Sequence, residues 1–280
     1  MTHPLPKGDV EPEPAGRTDL PTAPVFRPLQ MVMFHAFKQR DAAMEAQIAF
    51  AVRSIAAHYP EAEIVLLTNP LGEGARLPPG LSVRAQPIDL SQIMFERVRA
   101  YREHARSVRP GTVVVFMDTD MLFVRRVDEI LVPGADLSVT VRQIQEMPIN
   151  GGLIVADTAR HEPVCRFFDR MLERYADLSD AEKRWDGDQI VLQRLLRAPV
   201  ARLNGIEIVE RDGLVVRFAP VSVFNNTPRS WYLRLGLFRP GARLLHFKGW
   251  RKRRMPAYAR RFLSPGYLAY ARWLSAPRKD

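Results

Sequence analysis

Asp118 and Asp120 interrupt an apolar run, "VVVFMDTDMLFVR" at 113–125. A buried strand has no use for two such charges unless they are paired or hold a metal. In extended backbone, residues i and i+2 point to one side. Two carboxylates so placed can share a hard divalent cation such as Mg²⁺ or Mn²⁺, which prefers oxygen ligands and often completes its shell with substrate phosphates. Thr119 then faces the opposite side. A strand-ending turn in which one Asp caps the next segment accounts for the same pair without a metal.

Three further stretches carry polar groups of the same kind. In "PINGGLIVAD", Asn150, Gly151 and Gly152 precede an apolar strand, where paired glycines make a tight turn or let backbone approach a ligand. In "RWDGDQIVLQRLL", Asp186 or Asp188 can cap a helix, or Asp188 and Gln189 can face a polar ligand at its N-terminus. In "RLLHFKGWRK", His246 ends an apolar strand and Lys248 follows on the same side. Neutral imidazole is a metal ligand, and lysine neutralises phosphate as a point charge. Each stretch alone also has an ordinary reading as turn, cap or satisfied strand end.

The elements that must position these residues alternate. Strands are expected at 29–34, 62–69, 81–88 and 111–120, and helices at 41–59 and 91–108, the latter capped by Ser91. Met44, Ile48, Val52 and Ile55 give the first helix one apolar face. Strand–helix alternation predicts an α/β fold with a largely parallel sheet, whose ligands bind beyond the carboxyl ends of the strands. Asp118 and Asp120 fall at such an end. The second half is mixed, with strands at 136–143, 149–157, 205–210, 213–220 and 242–247 and helices at 161–178 and 188–198. No internal repeat and no linker divides the body.

With 280 residues and 46% hydrophobic content, the chain is long enough for a sizeable core. Its single cysteine, Cys165, excludes an intramolecular disulfide and fits a reducing compartment. No apolar run is long enough for a transmembrane helix. Residues 1–28, rich in proline and without an apolar core, read as a disordered leader and not a signal peptide. Most of the +10 net charge lies in 250–280, which holds nine Lys or Arg against one acid. Interleaved there are Trp250, Tyr258, Phe262, Tyr267, Tyr270 and Trp273. Such a segment suits an anionic membrane interface. A helix packed on the body accounts for it equally, and nucleic acid is a lesser option.

In their order and spacing, the four motifs resemble the nucleotide-sugar-dependent glycosyltransferases of the GT-A fold, most like glycosyltransferase family 8 and its bacterial relatives. The resemblance covers residues 30–253. It implies an α/β, Rossmann-like GT-A single domain at 29–250, with a mixed, mostly parallel central sheet flanked by helices, and a basic aromatic tail at 251–280. The implied activity is metal-dependent transfer from a UDP-sugar to a glycan or lipid-linked acceptor, with retention, in bacterial glycan biosynthesis. It implies a cytoplasmic enzyme, peripheral at the inner membrane face.

By the same resemblance, Asp118, Asp120 and His246 hold Mn²⁺ or Mg²⁺ on the diphosphate, with Thr119 between them. Lys248 reaches the diphosphate, and Lys252 competes for that role. Asn150, Gly151 and Gly152 lie along the donor sugar. Asp188 and Gln189 stand beside its anomeric carbon as the catalytic pair. His35, Ala36 and Phe37 cradle the nucleoside, Thr68 and Asn69 contact base or ribose, and Arg97 touches the nucleotide, with Arg99 the alternative. Two features depart from the family: both glycines follow Asn150 directly, and the first strand ends in "HAFKQRD".

Two other readings compete. A haloacid-dehalogenase-type phosphatase also carries D-x-D after an apolar strand, with the first Asp as nucleophile. That family wants Thr or Val where Leu122 stands, and starts its domain near the motif, whereas a β-α-β region precedes it here. A catalytically degenerate sugar-nucleotide-binding module is the other, against which the intact D-x-D and His246 weigh.

Overall fold

The computed structural model describes residues 27–39, 41–72, 74–144, 146–198 and 205–275. The leader up to residue 26, the side chain of Trp273, and Arg278 and Lys279 lie outside the described residues. Ten strands are described: β1 Leu29–His35, β2 Glu63–Thr68, β3 Leu81–Ala85, β4 Val113–Met117, β5 Met121–Phe123, β6 Leu137–Val141, β7 Ile149–Asp157, β8 Glu207–Arg211, β9 Leu214–Pro220 and β10 Leu244–His246. The helices are α1 Ala42–His58, α2 Ile93–Ser107, α3 His161–Ala176, α4 Asp180–Lys183, α5 Gly187–Leu196, α6 Val221–Phe224, α7 Ser230–Leu235, α8 Met255–Phe262 and α9 Pro265–Ser275.

Eight strands form one sheet in the order β3-β2-β1-β4-β7-β6-β9-β8. The block β3-β2-β1-β4 is parallel, as is β6 with β9, while β7 runs antiparallel to both neighbours. This is the mixed, mostly parallel sheet flanked by helices that the sequence predicts. The period-2 alternation in β1 divides the core. Met31 and Met33 face a cluster with α1, β5, β10 and α8, whereas Val32 and Phe34 face a second cluster with α2, α3 and α5.

Local chemistry sets the helix starts. The Asp41 carboxylate accepts from the Ala43 and Met44 amides and opens α1. The expected Ser91 cap is replaced by Asp89, whose side chain accepts from the Ser91 amide and begins a 3₁₀ turn that runs into α2. Both residue types are good caps, and the one two positions earlier starts the turn.

Two features aim the site. β4 lies between β1 and β7 and is buried along its length. β5 leaves the main sheet and pairs antiparallel with β10, setting His246 opposite Met121. A register shift between Val139 and Thr140 skips residues along β7, so Thr140 meets Asn150.

At the chain's edges, Arg27 is already tied to Asp157, and the Pro28 carbonyl accepts from the Val113 amide at 2.8 Å. In the basic segment, Met255, Tyr258, Ala259 and Phe262 of α8 are buried in the α1-side core. Its arginines Arg253, Arg254, Arg260 and Arg261 stay exposed.

Candidate active site

β4 stops at Met117, and residues 118–120 turn into β5. The D-x-D pair therefore does not sit on extended backbone as the sequence reading expects; the turn brings the two carboxylates together instead. The Asp118 amide donates to the Gly152 carbonyl at 3.0 Å. Thr119 faces α1, its hydroxyl accepting from Gln47 Nε2 at 2.9 Å, on the side away from the pair. The Phe247 amide donates to the Asp120 carbonyl at 2.9 Å, which locks the β10 end against the turn. His246 Nε2 then lies 3.1 Å from Asp120 Oδ1 and 3.4 Å from Asp118 Oδ2. Among the described residues, these three form a group whose ligand atoms all fall within 4.8 Å of one another.

The geometry fits a small divalent cation. Neighbouring ligands of an octahedral ion with bonds of about 2.1 Å stand roughly 3 Å apart. The histidine is held for that task by Asn225, which is fully buried. The Asn225 amide nitrogen donates to Thr140 Oγ1 at 3.0 Å, so its oxygen faces His246 Nδ1, at 2.8 Å. Nδ1 then carries a proton, which leaves Nε2 as the ring nitrogen facing the carboxylates and available to a cation bound between them. Burial alone would raise the Asp120 pKa, but the His246 ring and the Lys252 ammonium outweigh it and hold the carboxyl below the usual carboxylate range.

Asn150, Gly151 and Gly152 lie at the start of β7, inside the strand that the sequence reading gives at 149–157 rather than in a turn before it. The missing Cβ atoms of the two glycines matter more than any turn. A Cβ on Gly152 would stand 2.6 Å from Asp118 Oδ2 and 2.6 Å from His246 Cε1. One on Gly151 would stand 3.0 Å from Asp188 Oδ2 and from Gln189 Cγ. The two glycines thus let the Asp118–Asp120–His246 cluster and the start of α5 close over the strand.

Arg97, on α2, joins these two halves. Its guanidinium pairs with Asp118 at 2.9 Å and also with Asp188. Burial opposes its charge, yet Asp188 and Asp118 raise its pKa above the ordinary value. Arg99 turns away, to Glu96 and the Pro87 carbonyl. Asp188 is buried, and its Oδ1 has no hydrogen-bond partner among the described residues. Asp186 occupies the cap position of α5 but makes no side-chain cap bond there; its carboxylate accepts from Gln189 Nε2 at 2.9 Å. Gln189 Oε1 accepts from the Gly151 amide at 3.4 Å.

Both candidate lysines reach the site. Lys248 Nζ donates to Asn150 Oδ1 at 3.1 Å, and Lys252 Nζ lies 3.2 Å from Asp120 Oδ2. Further along the sheet edge, a cavity of about 210 Å³ is lined by Phe37, Asn69, Pro70 and Leu71. His35 packs edge-on against Phe37, and burial followed by the nearby Lys252 charge pushes its pKa down to about 4, so the ring is neutral. Ala36 packs against the α2-side core. Thr68 is fully buried, and Asn69 uses both ends of its amide on the Phe37 backbone, at 2.7 and 2.9 Å. These two residues brace the loop that forms the cavity wall.

Residues 89–246 match the nucleotide-diphospho-sugar transferase family, more than half of the chain. No curated protein matches by sequence. Among solved structures, the galactosyltransferase LgtC in complex with donor and acceptor sugar analogs superposes with a TM-score of 0.52 at 15% identity, over 83% of this chain and 95% of that one. The glycosyltransferase GlyE of Streptococcus pneumoniae TIGR4 matches with a TM-score of 0.52 at 14% identity, over 91% of this chain, which spans 66% of GlyE. A glycosyltransferase involved in glycosylation of the PBCV-1 major capsid matches with a TM-score of 0.50 at 11% identity, over 82% of this chain and 99% of that one. At such identities these likenesses speak for the GT-A fold, and the match over 89–246 speaks for the activity class: the chain belongs to the nucleotide-diphospho-sugar transferase family and is a glycosyltransferase.

Proposed function

We propose that the chain transfers a sugar from a UDP-sugar to a glycan or lipid-linked acceptor with retention, as in glycosyltransferase family 8, using Mn²⁺ or Mg²⁺ held by Asp118, Asp120 and His246. The observation that carries this reading is the approach of His246 Nε2 to both carboxylates while Asn225 occupies Nδ1. A divalent cation there supplies positive charge against the diphosphate as the sugar–phosphate bond breaks. Lys252 and Lys248 add fixed positive charge on either side of it. Arg97 pairs with Asp118 and with the buried Asp188 and links the two halves of the site.

The transition state of such a transfer is oxocarbenium-like, so a nearby anionic or amide oxygen stabilises it. Asp188, whose buried Oδ1 lacks a partner, accepts from a donor-sugar hydroxyl in this reading, and Gln189 Oε1 lies beside the anomeric carbon. In this reading the donor sugar lies along Asn150, Gly151 and Gly152, where the two glycines remove side-chain bulk. Phe37 and its neighbours take the nucleoside in the 210 Å³ cavity.

The exposed arginines of 251–261 and the exposed Trp250 and Tyr270 support peripheral contact with an anionic inner-membrane surface. No helix among the described residues is long and apolar enough to cross a membrane. Liposome sedimentation of the wild type against R253E/R254E/R260E/R261E checks this contact; equal pelleting removes it.

Asp120→Ala tests the catalytic reading. It should abolish turnover and Mn²⁺-dependent UDP binding while the melting temperature holds within a few degrees. Unchanged turnover in that variant would sink the proposal. A thermal-shift screen of nucleotide sugars, with Mn²⁺ and again with chelator, names the donor.

A further inference from the structure

A cavity of about 490 Å³ opens beside the metal cluster and shares Asn150 and Lys248 with its surroundings. No metal ligand lines it, and no Asp or Glu does. Four cations do: Arg142, Lys248, Arg229 and Arg239. None has a carboxylate partner among the described residues. Arg142 donates to the Met147 carbonyl at 2.7 Å, and Lys248 to the Asn150 amide oxygen, so their partners are neutral. Burial pushes the Arg142 pKa downward, against the opposing charge of Asp186. Four like charges converging on one space repel one another and focus a positive potential into it.

The cavity wall also carries an aromatic face. Trp231 and Tyr232, on α7, stack with ring centroids 3.6 Å apart, and Trp231 remains half exposed. An open indole face suits the C–H face of a sugar ring, and a few convergent polar groups beside it fix orientation. For the donor's diphosphate the proposed cations are Lys252, which sits against Asp120, and Lys248, which this cavity shares. Arg229 and Arg239 flank α7 instead.

We propose that this cavity receives the acceptor, and that the acceptor is an anionic sugar, its carboxylate or phosphate ester set among Arg142, Arg229, Arg239 and Lys248 and its ring on Trp231. The acceptor role rests on the glycosyl-transfer reading above; the preference for an oxyanion rests on the cavity alone.

Calorimetry separates the two. Glucose 6-phosphate, glucuronate and glucose are titrated into the full chain, with chelator and again with UDP and Mn²⁺. At least one charged sugar should bind ten-fold or more tighter than glucose, and the better of the two identifies phosphate or carboxylate. The double variant R229A/R239A should lose that ten-fold preference while its UDP–Mn²⁺ affinity stays within two-fold and its melting temperature is unchanged. Trp231→Ala should weaken charged and neutral sugars alike. The proposal falls if neither charged sugar binds tighter than glucose in either arm. It falls equally if the double variant loses UDP–Mn²⁺ affinity, because the arginines then serve the donor. If wild-type protein binds charged sugars but no UDP–Mn²⁺, the acceptor role is overturned with the transfer reading, and the charge preference stands.

Discussion

Gly152 and His246 approach so closely that a single added methyl group would stand 2.6 Å from the imidazole Cε1 and equally close to Asp118 Oδ2. Three chain segments meet at that point, and the absence of one Cβ permits it.

Gly152→Ala should therefore lower Mn²⁺-dependent UDP affinity at least ten-fold, because Asp118 and His246 must separate. Gly151→Ala, whose Cβ meets Asp188 Oδ2 and Gln189 Cγ at 3.0 Å, should act on turnover more than on metal-dependent binding. Calorimetry with UDP and Mn²⁺, paired with donor-hydrolysis rates, distinguishes them. Equal metal affinity in both variants contradicts the packing argument.

Asn225 acts through His246. Outer partners of metal-ligating histidines typically contribute 10–100-fold in metal affinity or activity. Asn225→Ala should weaken Mn²⁺ binding in about that range, measured by electron paramagnetic resonance of free Mn²⁺, and Asn225→Asp should recover part of it by accepting from Nδ1. An Asp variant as weak as the Ala variant argues for a packing role alone.

Arg97→Leu removes the guanidinium that pairs with both Asp118 and the buried Asp188. Removing one partner of a buried ionic network costs about 3–5 kcal/mol. Urea denaturation should show a loss of that order at neutral pH, with part recovered in R97L/D188N. A loss under about 1 kcal/mol would show that water already screens the cluster.

Acid should destabilise the fold through two histidines outside the Asp118–Asp120–His246 cluster. Burial, then Arg126 and Arg272, lowers His58 to about 4; burial, then Arg84, lowers His104 to about 4. The unfolded chain, at the ordinary 6.5, binds protons that the folded rings refuse. The stability they contribute is complete above pH 6.5 and is lost as pH falls toward 4, by roughly 2 kcal/mol per ring at pH 5. Urea midpoints between pH 7.5 and 5 check this. The H58Q/H104Q variant should show a flatter slope; an unchanged slope would assign the acid sensitivity to other groups.

The sequence makes the scaffold legible where burial imposes a period. Met31-Val32-Met33-Phe34 alternates between two clusters, and the nine residues of β7 end where the sequence ends them. The chemistry-bearing types also stood out, since Asp118, Asp120 and His246 interrupt apolar runs. What escaped depends on distant neighbours. Asn225 is one of two asparagines in "FNNT", and only its bond to His246 gives it a role. The glycines of β7 resemble a turn until Asp118 and His246 are seen filling the space their side chains would occupy. Asn69 looks free to meet a ligand until its amide is found spanning the Phe37 backbone, 32 residues earlier in the chain.

The pairing of β5 with β10 has a consequence for synthesis. Asp118 and Asp120 leave the ribosome long before His246, and the strand that aligns the histidine is among the last of the described strands to be made. Until it emerges, β5 has no partner in its own small sheet, and the two aspartates have no third ligand. A chain stalled before residue 244 can build most of the large sheet yet cannot assemble the three-residue cluster, so the assembled cluster reports that translation has passed β10.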